Sequence, residues 1–88
     1  MTGEELQAAV AKILAEEKQP MIDWSYVKTL CDDVLRRVNT EPAPVYPNKL
    51  YRFLEDYDAR EKDERHERMA YPNGQRAFVE GYLAGNDG

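Results

Sequence analysis

Serine, cysteine and histidine each occur once in this chain, as Ser25, Cys31 and His66. A serine or cysteine nucleophile needs a base within hydrogen-bond reach, and His66 lies far from both, in the strongly polar run ERHERMA. A zinc helix of the H-E-x-x-H type would need a second histidine at position 70, and that residue is Ala70. Cys31 falls on the apolar stripe of an amphipathic segment, where a thiol behaves as a small buried hydrophobe, and a zinc site would need several such ligands. The 17 aspartates and glutamates lie mostly in solvated charge runs, whereas acid–base work requires a carboxyl whose surroundings shift its pKa. Gly81, Gly85 and Gly88 follow a helical pattern instead of opening one, so no phosphate-cradling loop is present. The expectation is a protein that is not an enzyme and has neither cofactor nor metal.

The aromatic and basic residues point to binding. Seven of the nine aromatics are Tyr46, Tyr51, Phe53, Tyr57, Tyr71, Phe78 and Tyr82. Tyrosine and arginine are enriched at interface hot spots. Tyr46, Tyr51 and Tyr71 flank loops or charged segments and are read as exposed binding residues. Phe53, Tyr57 and Phe78 are read as packing. Arg60, Lys62, Arg65 and Arg68 complete the expected partner-binding set. They lie in a run whose acids precede bases by four residues, as Asp56–Arg60, Asp58–Lys62, Glu61–Arg65 and Glu64–Arg68. That orientation supports a solvated helix by about 0.2–0.5 kcal/mol per pair. Six acids interspersed from Asp56 to Glu67 would repel a phosphate backbone, which argues against nucleic acid as partner. On this reading, reversing charge at Arg60, Arg65 and Arg68 leaves the fold intact and weakens binding.

Helices must position these residues. Thr2 and Glu5 form a capping-box pattern, followed by Leu6, Val10, Ile13 and Leu14 on one stripe, and Pro20 ends the first helix. The second runs from near Asp23 to near Asn39, with Trp24, Val27, Leu30, Cys31, Val34, Leu35 and Val38 at i, i+3, i+4, i+7 spacing. Pro42, Pro44 and Pro47 then exclude helix, predicting a semi-extended crossover in which Val45 and Tyr46 pack. Two stretches, YPNKLYRFLEDYDA at 46–59 and YPNGQRAFVEGYLA at 71–84, agree at seven of fourteen positions. Each reads as a helix start capped by asparagine, at Asn48 and Asn73. Each then presents an aromatic pair four residues apart, Phe53/Tyr57 and Phe78/Tyr82, to the same kind of groove. The third helix would run on from Asn48 through the charged segment, and the fourth from Asn73 to about Ala84, with Gly85 ending it. The expected core is Leu6, Val10, Ile13, Leu14, Trp24, Val27, Leu30, Val34, Leu35, Val38, Leu50, Phe53, Leu54, Phe78 and Tyr82.

The fold class is therefore all-α: one small four-helix domain over 1–85, with a proline-rich crossover between helices two and three and a tail at 86–88. Its 88 residues suit a single domain with a modest core. The net charge of −5 is spread along the chain. No apolar run approaches the roughly 20 residues that span a bilayer, and the N-terminus lacks the layout of a signal peptide, so no membrane association and a cytoplasmic location are expected. The stretch RAFVEGYLAG at 76–85 resembles the A-F-x-x-G-Y/W-x-A-G helix near the ends of many small phage-encoded proteins of unassigned role. The resemblance covers ten of the 88 residues and implies no particular activity. It does imply a mobile-element protein, many of which bind a host protein. The functional expectation is a protein-binding module, a phage-type modulator that sterically occludes a host protein. The alternative is a self-associating module, a homo-oligomer, that binds a nucleotide-like small ligand between subunits.

Overall fold

In the computed structural model, which describes residues 1–65 and 70–85 and the side chains of 1–62 and 74–85, the described residues are helical and contain no strand. Helix α1 spans Gly3–Glu17, α2 Trp24–Thr40, α3 Asn48–Glu55, α4 Tyr57–Arg65 and α5 Ala70–Leu83. The all-α expectation holds, with five helices among the described residues in place of four.

The first two helices begin where local chemistry dictates. The amide of Glu5 donates to Thr2 Oγ1 at 3.1 Å and the amide of Thr2 donates to Glu5 Oε1 at 2.8 Å, so two helix-start donors are satisfied reciprocally. Asp23 caps α2 by accepting from the Tyr26 amide at 3.1 Å. The duplicated starts behave differently. Asn48 is the first residue of α3; the cap position belongs to Pro47, which provides no side-chain cap bond. Asn73 is the fourth residue of α5, because that helix already begins at Ala70. Pro72 is tolerated there since the amides of a first turn have no intrahelical acceptor. The two copies thus do not encode equivalent capped starts. Gly85, at φ 93°, ends α5 as expected, in a left-handed conformation that glycine adopts without steric cost.

The expected single third helix is broken at Asp56. In an uninterrupted helix the Phe53 carbonyl would accept the amide of Tyr57. Here it accepts a hydrogen bond from Arg60 Nη1, while α4 restarts with the Arg60 amide donating to the Asp56 carbonyl at 3.0 Å. A side chain entering the backbone ladder is a recognised cause of a helix break.

The core is formed by Leu6, Val10, Ile13 and Leu14 of α1, Val27, Cys31 and Val34 of α2, Leu50, Phe53 and Leu54 of α3, and Val79 of α5. Helix α2 lies against α1, α3 and α4, and α5 covers α1, α3 and α4 from the other side. Trp24, Leu30, Leu35, Val38, Phe78 and Tyr82 are only partly buried and pack around this centre. Val79, one residue from the expected Phe78, occupies the inward position of α5. Consequently Phe53 is fully buried while its counterpart Phe78 is partly exposed, and the copies do not fill matching grooves.

Candidate functional site

The largest fully buried side chain is Arg60. Its guanidinium meets the carboxylate of Glu17, itself buried, in a two-point contact: Nε donates to Oε1 and Nη2 to Oε2, each at 2.8 Å. Nη1 serves Phe53 O and also donates to Gln75 Oε1 at 2.9 Å. The cation lies 4.0 Å from the centroid of the Phe53 ring, a favourable face-on contact. Arg76 Nε donates to Glu17 Oε1 at 3.2 Å, and Gln75 Nε2 donates to Asp56 Oδ2 at 3.1 Å. One buried cation thereby ties α1, α3, α4 and α5 together. A buried charge is tolerable only when paired and hydrogen-bonded in this way.

This arrangement corrects the sequence expectation for Arg60. It is not part of an exposed basic surface, and reversing its charge would place a carboxylate against Glu17 inside the core. Lys62 is exposed on α4 as expected. The side chains of Arg65 and Tyr71, and all of His66 and Arg68, lie outside the described residues.

Cys31 is fully buried beside this cluster, and burial pushes its thiol up to about 12 despite the opposing Arg60 charge. Such a thiol is almost entirely protonated at neutral pH, the state least suited to nucleophilic work. Ser25 is exposed in the first turn of α2. Among the described residues no group of three histidines, cysteines, aspartates or glutamates is placed to hold a metal ion, and no helix is long and apolar enough to cross a membrane.

A partly exposed aromatic and proline surface follows α2. Tyr46 and Tyr51 lie together, their rings 6.5 Å apart and within 11° of parallel. Tyr51 Oη accepts from Asn39 Nδ2 at 3.1 Å, and that same amide nitrogen donates to the Leu35 carbonyl at 2.8 Å, so the tyrosine pair is anchored on the end of α2. Pro44 approaches the start of α1, where a Cβ at Gly3 would lie 3.9 Å from Pro44 Cβ. Between these anchors Val45 is fully exposed, contrary to the expectation that it packs. Pro44, Val45, Tyr46 and Pro47 line a shallow cleft of about 540 Å³, completed by Gln7 and Tyr82. Burial raises the Tyr82 hydroxyl above its ordinary pKa.

Tyr46 and Tyr51, expected to be exposed, are half-buried, and Tyr46 packs against the core; Val45, Pro44 and Tyr82, which border the same cleft, were not among the residues expected to bind. The missed signal was charge depletion: residues 42–51 hold one charged side chain, Lys49, in a chain that is 33% charged. Comparison with known protein families, curated proteins and solved structures found no match.

Proposed function

We propose that this protein is a small binding module that docks a partner protein on the surface formed by Pro44, Val45, Tyr46, Pro47, Tyr51 and Tyr82. The observation that carries the reading is the exposed, charge-free, proline-stiffened segment around Val45, held between the Tyr46–Tyr51 stack and the start of α1. Interface centres are depleted of charge and enriched in aromatics. A segment already fixed by prolines loses little conformational freedom on binding, so more of the contact energy is realised as affinity. The complementary partner presents an apolar surface to this charge-free segment. The resemblance of residues 76–85 to phage-encoded helices supports a host protein as that partner, with occlusion of its working surface as the effect.

The test is capture from bacterial lysate by wild type, Val45→Asp and Tyr46→Ala, followed by hydrogen exchange with the captured protein. Val45→Asp should change stability by no more than about 0.5 kcal/mol, as is usual for an exposed side chain. The expected result is one stoichiometric protein that is lost with Val45→Asp and that protects amides from Val45 to Tyr51. Retention by all three proteins, or protection elsewhere, would remove this surface from the proposal.

A further inference from the structure

A second cleft, independent of the protein-binding reading, lies between the start of α3 and the face of α5. It measures about 380 Å³ and is lined by Lys49, Arg52, Gly74, Gln75 and Phe78, a volume within the range of small-ligand sites. Lys49 and Arg52 are three residues apart and so lie on one face of α3. Lys18, Arg36, Arg37, Arg60 and Arg76 each meet a carboxylate; among the described residues Lys12, Lys28, Lys49, Arg52 and Lys62 do not, and of these Lys49 and Arg52 lie together at this cleft. Two cations left without carboxylates at one cleft, in a chain of net charge −5, are positioned for an anion brought from outside. The opposite wall is aromatic: Phe78 is only partly buried, and Lys49 Nζ lies 5.6 Å from its ring centroid. Above Gly74 there is open space, with nothing within 4 Å of where a Cβ would stand. Gln75 is held rigidly, because its amide accepts from buried Arg60 and donates to Asp56.

From this geometry we infer that the cleft binds a mononucleotide-like ligand, with a phosphate on Lys49 and Arg52 and a planar base on Phe78. Arginine offers a phosphate two parallel donors and lysine a point charge, and an exposed aromatic ring accepts any base by its face. Neither wall alone accounts for the cleft: a phosphate by itself uses only the two cations, and a neutral heterocycle leaves both cations without a counter-charge.

The experiment is an amide chemical-shift titration of the full chain with AMP, inorganic phosphate and adenosine. Wild type is compared with Lys49→Ala/Arg52→Ala and with Phe78→Leu, and thermal melts establish that each variant is folded. AMP should give saturable shifts at Lys49, Arg52, Gly74, Gln75 and Phe78. The double variant should weaken binding by about tenfold or more, and phosphate and adenosine should each bind more weakly than AMP. If Phe78→Leu proves unstable, comparison of AMP with inorganic phosphate on wild type still tests the aromatic wall. The absence of saturable shifts up to about 10 mM AMP, weaker than any useful affinity, would overturn the inference. So would affinity unchanged in the double variant, or phosphate or adenosine binding as tightly as AMP. Tighter binding of a 5′-phosphorylated tetranucleotide than of AMP would overturn a free mononucleotide as the ligand. Because Val45 lies outside this cleft, Val45→Asp should leave AMP binding unchanged, so this inference and the protein-binding proposal fail separately.

Discussion

Replacing Arg60 with methionine keeps most of the side chain's length and apolar stem while removing the charge and all its donors. The wild-type side chain is fully buried and holds both oxygens of Glu17, the Phe53 carbonyl and Gln75. In the variant, Glu17 remains a buried carboxylate with the Arg76 contact at 3.2 Å, and the carbonyl at the α3–α4 break loses this donor. Breaking a buried pair from one side typically costs about 3–5 kcal/mol. An 88-residue domain has about 4–13 kcal/mol of stability in total, so the variant should be marginal, with a melting temperature lower by about 12–40 °C. Thermal and urea unfolding followed by circular dichroism measure this directly. Glu17→Gln should be similarly damaging. The double variant should cost less than the sum of the singles by about 2–3 kcal/mol, because both remove the same pair. Lys62→Met, at an exposed position on the same helix, is the control and should shift stability by no more than about 0.5 kcal/mol. If Arg60→Met lay within about 1 kcal/mol of wild type, or the two singles were additive, the cluster would not be what ties the four helices together.

Two further predictions follow from the same structure. Burial raises the thiol of Cys31 in the folded protein to about 12, above its unfolded value near 8.5. Its contribution to stability is therefore complete below about pH 8.5 and is lost as pH rises toward 12, at a limiting slope of about 1.4 kcal/mol per pH unit. Urea midpoints at pH 8 and pH 10.5 should diverge more in wild type than in Cys31→Ala; Tyr57 and Tyr82, also raised by burial, leave a residual slope of the same sign. The capping assignments separate just as cleanly. Thr2→Ala removes an observed cap bond and should cost about 0.5–2 kcal/mol, whereas Asn48→Ala, at a position that makes no cap bond, should cost less than about 0.5 kcal/mol. Equal losses in denaturant unfolding would return Asn48 to the capping role its sequence suggests.

The first two helices were legible because their determinants are local. A capping residue with its partner three positions on, and an apolar stripe at helical spacing, act within a few turns of chain. The structure accordingly starts α1 after Thr2 and α2 after Asp23, and buries Cys31. The candidate surface was legible only in part. Tyr46 and Tyr51 stood out by residue type, but pattern reading assumes that an apolar Val45 packs and that an arginine within a charged run is solvated. Neither assumption holds when the neighbours that decide burial come from other helices.

Composition and periodicity by themselves determined an all-α chain, the limits of its first two helices, and a proline-bearing interruption before the aromatic half. Tertiary structure decided what the repeated words and the charges mean. The periodic pattern of residues 56–68 is satisfied equally by Asp56 four residues before Arg60 or by Glu17 from another helix, and no local rule chooses between them. The choice rests on desolvation: once α1 and α5 close over α4, a buried guanidinium must find a carboxylate in the same low-dielectric space. Glu17 is that carboxylate. The same packing turns Val79 inward and leaves Phe78 beside Lys49, so that two aromatics at corresponding places in one duplicated phrase become, respectively, core and cleft wall.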